Sequence, residues 1–143
     1  VVITNQAAIG RGIIDEAFLS QVHGLLDERL ALGDARIDRY YYCPHHPDAA
    51  LDAFRQVCRC RKPGPGIIEQ ACREMGLDPT RSVMVGDRWI DVRAGRAAGT
   101  RSVLLRTGHG LHEIDSPPGD VEADAILNNL MEAVGWILRT SPR

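Results

Sequence analysis

The stretch PGIIEQACREMGLDPTRSVMVGDRWIDVRAGRAAGTRSVLL, residues 65–105, decides the fold. Pro65 opens an amphipathic run in which Ile67, Ile68, Ala71, Cys72 and Met75 share one helical face, and Gly76 is placed to end it. Residues 82–85 form a short apolar run, the pattern of a strand covered on both faces, and the run stops at Gly86-Asp87. A second helix is expected over 89–98 with Gly99 as its stop, and residues 102–105 supply another buried strand. Alternation on this scale implies parallel strands joined by crossover helices.

The same grammar extends outward. Val1, Val2 and Ile3 read as a strand entering the polar loop Thr4-Asn5-Gln6 and the glycines Gly10 and Gly12. From Asp15 onward, Phe18, Val22, Leu25, Leu26 and Leu30 recur at helical spacing and are expected to face inward, with Gly33 as the stop. Residues 37–42 read as extended. After Arg106 come Gly108, Gly110 and the turn Pro117-Pro118-Gly119, then a short strand over 125–127 and a last helix expected to turn Leu130, Val134, Ile137 and Leu138 inward. The fold class is α/β, with a doubly wound, mostly parallel sheet. In such sheets ligands bind beyond the carboxyl ends of the strands, and both Thr4-Asn5-Gln6 and Gly86-Asp87 fall there.

The chain has 143 residues, one domain at a prior of about 150 per domain, and its 44% hydrophobic and 25% charged residues suit a packed globular core. With Lys+Arg 17 against Asp+Glu 19 the net charge is −2, so no basic field is available to hold nucleic acid. No apolar run approaches the roughly 20 residues of a membrane span, and no basic-then-apolar signal pattern opens the chain. A cytoplasmic protein that binds neither nucleic acid nor membrane is expected. In that setting the 4 Cys are read as ligands or core groups rather than disulfides. The first residue is Val1 rather than Met, and the chain is expected to be a fragment.

Residues 43–60 lack a sustained period and are read as a loop that needs an internal staple. Cys43-Pro44-His45 and Cys58-Arg59-Cys60 provide two short chelating pairs, with twelve residues between His45 and Cys58. Three thiolates and one imidazole match a closed tetrahedral zinc site, and soft sulfur argues against magnesium or calcium. With no position left for water, this Zn²⁺ is assigned no catalysis. The competing reading, two turns that happen to contain cysteines, does not account for pairing on both sides of the loop. A ring between Cys58 and Cys60 would be strained. Cys72 is read as a packed apolar residue, and His46 as loop surface.

A second constellation carries oxygen and cationic groups. Thr4 offers a hydroxyl beside loop amides for a phosphoryl oxygen. Lys62 offers a point charge and Arg61 a bidentate fork just before a helix fixed by Pro63 and Pro65. Asp87 ends a buried strand, and Asp91 lies one helical turn on, an arrangement that suits Mg²⁺, which takes one or two carboxylates together with substrate phosphate. Arg88, Arg93 and Arg96 are by default exposed helix cations.

These residues resemble the haloacid dehalogenase-like phosphatases, and within them the branch that acts on D-glycero-D-manno-heptose 1,7-bisphosphate. The resemblance runs from Val1 to about Gly110. It is carried by Val2-Ile3-Thr4-Asn5-Gln6 with Ile9-Gly10-Arg11-Gly12, by Cys43-Pro44-His45-His46-Pro47-Asp48, by Cys58-Arg59-Cys60-Arg61-Lys62-Pro63, and by Val85-Gly86-Asp87. Histidinol-phosphate phosphatase domains are similar but have a shorter gap between the His and the Cys-x-Cys pair, so the twelve-residue gap favours the heptose branch.

The resemblance implies a Rossmann-like fold of the haloacid dehalogenase type. It makes residues 1–143 one phosphatase domain, with the zinc loop of 43–60 inserted and the first strand absent. It implies that Thr4 and Lys62 stabilise the transferring phosphoryl group, that Arg61 recognises substrate, that Asn5, Gln6 and Arg88 line the substrate site, and that Asp87 binds Mg²⁺. The implied partner is a small phosphorylated sugar, and the intact protein is expected to be a monomer. Ala7 and Ala8 depart from the small polar residue and the glycine usual in the first loop. The larger departure is that the family's Asp-x-Asp motif, which supplies the nucleophile that forms an aspartyl-phosphate and the general acid, does not occur in the sequence. The nucleophile is therefore expected upstream of Val1. A non-catalytic, zinc-containing phosphate-binding module is the alternative of another class.

Overall fold

The computed structural model describes residues 1–140, which fall into two compact units, residues 1–61 and residues 62 onward. In the first, β1 (Val2–Asn5), α1 (Ala7–Gly10), α2 (Glu16–Ala31) and β2 (Tyr40–Cys43) follow in order. β1 and β2 pair in parallel from Val2↔Tyr40 to Asn5↔Cys43. Parallel neighbours need a long crossover, and α2 supplies it. Asp15 starts this helix: its carboxylate accepts the Phe18 amide at 2.7 Å and satisfies one of the unpaired first-turn donors.

The face that α2 presents corrects the sequence reading. Phe18, Val22, Leu25 and Leu26 are exposed at 51%, 43%, 58% and 38%, while Leu19 is buried at 4%. The helix meets β2 through its polar neighbours. Tyr42 donates its phenol to Glu16 at 2.7 Å, Tyr40 donates to Asp27 at 2.5 Å, and the His23 ring stacks on Tyr40 with centroids 4.1 Å apart. Glu16, Leu19, His23 and Asp27 lie on one helical face. The tyrosines of β2 select that face because their hydroxyls need carboxylate acceptors, and the Phe-Val-Leu stripe is turned away.

The second unit contains α3 (Gly66–Met75), β3 (Val83–Gly86), α4 (Trp89–Ala97), β4 (Arg101–Leu105), α5 (Gly110–Ile114), β5 (Ala125–Leu127) and α6 (Leu130–Thr140). Ile67, Ile68 and Ala71 are the buried residues of α3, as its periodicity predicts, and Gly76 ends it in the left-handed region at φ 65. β3, β4 and β5 form an all-parallel sheet with β4 in the middle.

Alternation along β4 then divides the core in two. Leu104 packs with Trp89 and Val92 of α4, while Val103 and Leu105 pack with Ala133 and Trp136 of α6. Helices on both faces make this sheet doubly wound, and each fully buried aliphatic side chain contributes about 1.5–3 kcal/mol. α6 requires a second correction. Leu130, Val134 and Leu138 are exposed at 60%, 44% and 76%. The helix docks instead through Ala133, whose small side chain permits close approach, and through Trp136, which carries the Arg101 guanidinium 5.0 Å above its ring.

Candidate functional site

β2 delivers Cys43, completely buried, to the start of the 43–60 loop. The loop folds back by backbone bonds from His46 to Phe54 and from Leu51 to Gly10, and Arg55 donates to the carbonyls of Ala49 at 2.7 Å and Ala50 at 3.1 Å. Arg61, read from the sequence as a substrate contact, donates to the His45 carbonyl at 3.2 Å.

These bonds gather Cys43, His45, Cys58 and Cys60 so that one ligand atom of each lies within 4.8 Å of the others. The sulfur pairs are 3.4 Å (Cys43–Cys58), 3.1 Å (Cys43–Cys60) and 2.9 Å (Cys58–Cys60) apart, and His45 Nδ1 lies 3.7 Å from Cys43 and 3.3 Å from Cys60. All four cysteines are free thiols. A tetrahedron with zinc–sulfur bonds of about 2.3 Å has edges of about 3.8 Å, so the cluster accepts the ion by expanding less than about 1 Å.

Ionisation is already divided among the thiols. Burial opposes ionisation of Cys58, but hydrogen bonds from the Cys60 and Cys43 thiols and from the backbone amides of Arg61 and Cys60 outweigh it and hold this thiol below its usual range. Burial pushes the Cys43 thiol up, and burial followed by the bonds to Cys58 and Cys43 does the same to Cys60. A cation that takes thiolates is the group that would ionise all three. His46 stays outside the cluster, its Nδ1 accepting the Asp48 amide at 3.0 Å, and Cys72 is also outside it, on α3.

At the carboxyl end of β1, Gln6 Nε2 donates to the Thr4 hydroxyl at 3.3 Å, and the Gln6 amide donates to the Cys43 carbonyl at 2.8 Å. Thr4 and Asn5 are the last two residues of β1, so the strand runs two residues further than the sequence reading expects, and Gln6 alone follows the strand end.

In the second unit the carboxyl end of β3 is built around two carboxylates. Asp91, in the first turn of α4, bonds Lys62 Nζ through Oδ1 at 2.6 Å, with the two side chains 6% and 10% exposed. Its Oδ2 accepts the Arg88 amide at 3.1 Å. Both oxygens of Asp91 are therefore engaged in holding Lys62 and the helix start. This fold-back explains Gly86, where any Cβ would collide with the Asp91 side chain. Asp87 accepts the His109 amide through Oδ2 at 2.9 Å. The Gly108 turn before it, at φ 63, is pressed against the same carboxylate, where a Cβ would collide with Oδ2. Oδ1 is the oxygen that Asp87 can offer a hard cation, so its chemistry fits Mg²⁺.

The three arginines of α4 and its start are all paired. Arg88 Nε meets Glu113 at 3.1 Å, Arg93 meets Asp120, and Arg96 meets Asp124 at 3.3 Å. Sequence reasoning missed Glu113 entirely, and it missed the pairing of Lys62 with Asp91, because neither partner stands at a local spacing from the other.

The family model described as HAD-hydrolase-like matches residues 59–133. The chain belongs to this family. A D-glycero-β-D-manno-heptose-1,7-bisphosphate 7-phosphatase of Escherichia coli (strain K12) is 42% identical over 134 residues, covering 92% of this chain and 68% of the relative. A 7-phosphatase of the same name from Haemophilus ducreyi is 36% identical over 139 residues, covering 96% of this chain and 74% of the relative. Among solved structures, the D,D-heptose 1,7-bisphosphate phosphatase of B. bronchiseptica, complexed with magnesium and phosphate, superposes with a TM-score of 0.84 at 29% identity, over 99% of this chain and 75% of that one. These relatives and structural neighbours of the HAD-like chain are phosphatases, and among its described residues no helix is long and apolar enough to cross a membrane.

Proposed function

We propose that the protein hydrolyses a phosphomonoester of D-glycero-D-manno-heptose 1,7-bisphosphate. The observation that carries this reading is the buried Lys62–Asp91 pair beside Asp87 at the carboxyl end of β3. An ammonium group held there, desolvated and oriented before substrate arrives, is suited to the charge that develops on a transferring phosphoryl group. In this reading Thr4 also has a phosphoryl-stabilising role, Arg61 and Arg88 recognise the sugar phosphate, and Asn5 and Gln6 line the substrate site. Asp87 would hold Mg²⁺, which supplies positive charge to counter the phosphate.

Cys43, His45, Cys58 and Cys60 would hold Zn²⁺, whose part is to fix the fold of residues 43–60. The attacking carboxylate, and the aspartyl-phosphate it forms, are assigned to sequence N-terminal to Val1, as the family pattern implies. Residues 1–143 act in this reading as one phosphatase domain in a cytoplasmic, monomeric enzyme.

The test is a side-by-side rate comparison. Full-length protein with Mg²⁺ is expected to release phosphate from the heptose bisphosphate faster than from histidinol phosphate. The opposite preference would assign the same chemistry to histidinol phosphate, and ligand protection with no turnover on either would leave a phosphate-binding module.

A further inference from the structure

We propose that Glu113 is a positioning residue for substrate recognition, acting through Arg88. The proposal rests on the function reading above, in which Arg88 contacts the sugar phosphate. Glu113 divides its carboxylate between two groups at the start of α4: Oε1 accepts Arg88 Nε at 3.1 Å, and Oε2 accepts the Trp89 amide at 2.9 Å. Its own carbonyl accepts the indole N–H of Trp89 at 2.7 Å, and the next residue, Ile114, packs against Trp89, Val92 and Leu104. Residues 113 and 114 are thus fixed at three points on the buried Trp89, one of them through the carboxylate.

That anchoring separates this ion pair from Arg93–Asp120; Asp124, the partner of Arg96, is held in a similar way by the Ser102 amide at 2.6 Å, but at the strand β4 and away from the start of α4. The Glu113 side chain is 22% exposed, whereas Asp120, the partner of Arg93, is 69% exposed on a loop. The pair lies one turn from the Lys62–Asp91 pair and repeats its design, with one oxygen on a cation and the other on a backbone amide of the α4 start. Bonding through Nε engages the stem side of the fork, and the Nη1–Nη2 edge is the part that a phosphate or sugar hydroxyl would engage. A held guanidinium loses less rotamer freedom when substrate binds.

The opposite electrostatic expectation is that a carboxylate beside Arg88 weakens its hold on an anion. The two differ in sign. In the full-length protein with Mg²⁺ and the heptose bisphosphate, Glu113→Gln keeps the shape but offers Arg88 no anion. It is expected to raise KM about fivefold with kcat changed less than about twofold, the scale of a fraction of one arginine's rotamer entropy. In an Arg88→Met background the same change is expected to leave KM where Arg88→Met set it. A lowered or unchanged KM, or an equal change in both backgrounds, would overturn the proposal. If Glu113→Gln does not fold, Glu113→Asp, which withdraws the carboxylate by one methylene, is read by the same criteria.

If the wild-type protein releases no phosphate, the function reading fails and the positioning claim is decided by NMR. The Arg88 Nε–H resonance is then expected to be sharp and slowly exchanging in the wild type and averaged in Glu113→Gln, with inorganic phosphate as the probe. Identical resonances in both proteins would refute it.

Discussion

The 43–60 loop and the β3–α4 strand end both hold polar groups in fixed positions, but they do so with different resources. Among residues 43–60 only Cys43 and Ala49 are buried, so apolar packing contributes little and order depends on four ligand atoms and a few backbone bonds. At the strand end, Trp89, Val92, Ala94 and Val103 to Leu105 are buried beneath the carboxylates, which are aimed by what lies under them. A region without a core can be ordered by chemistry between ligands, at the cost of depending on what those ligands bind. A region with a core holds its charges without help.

The loop is the region where a single substitution has the largest expected effect. Cys60→Ser is expected to drop zinc from about one per chain to near zero and to abolish hydrogen-exchange protection across residues 43–60, because structural zinc contributes about 10 kcal/mol or more in small sites. Protection at β3 and β4 should persist. Simultaneous loss at both places, or retained protection in a zinc-free chain, would contradict the contrast.

Next in size is Asp91→Ala, which strands the Lys62 ammonium in a buried place. It is expected to cost about 3–5 kcal/mol in denaturant unfolding, while Asp91→Leu combined with Lys62→Met costs far less. Gly86→Ala should follow at about 1–3 kcal/mol, since the new methyl must displace the Asp91 side chain. An exposed pair offers the small end of the scale: Arg93→Ala, which removes the partner of Asp120, should change stability by less than about 1 kcal/mol.

The smallest effect concerns the α2 face. Desolvation, then the hydrogen bond to Asp27, raises the Tyr40 phenol to about 12. Because the folded value is the higher one, the stabilisation is present below the unfolded value near pH 10 and is lost as pH rises through about 12. The bond to Glu16 raises Tyr42 as well, so ultraviolet titration should show two late-ionising tyrosines, of which one disappears in Tyr40→Phe. Absence of that one from the wild type would mean that α2 does not dock by its polar face.

The second unit was the more legible in the sequence, for a reason visible in its residues. A strand buried on both faces reads as a continuous apolar run, and β4 is such a strand, with Leu104 committed to one face and Val103 and Leu105 to the other. β3, expected from its apolar run to be buried, is instead half-buried because it lies at the edge of the three-stranded sheet. The metal cluster was legible because chelating pairs are local: Cys43 and His45, like Cys58 and Cys60, stand two residues apart. Periodicity failed on α2 because it ranks faces by apolarity, whereas Tyr40 and Tyr42 reward carboxylates at Glu16 and Asp27. It failed on α6 because Ala133 counts for little on a hydrophobicity scale but permits the closest packing.

The partners of Lys62 and Arg88 were illegible for another reason. Asp91 and Glu113 are brought to them by chain reversals through the sheet, and no local spacing encodes such a pairing.

In the proposed function these strand ends serve removal of one phosphate from a sugar carrying two. Phosphorus NMR of the heptose 1,7-bisphosphate incubated with the full-length protein tests it most directly. Only with Mg²⁺ present is the 7-phosphate signal expected to be replaced by inorganic phosphate while the anomeric 1-phosphate signal remains. Two unchanged signals over a folded, metal-loaded sample, or loss of the anomeric phosphate first, would contradict the proposed function.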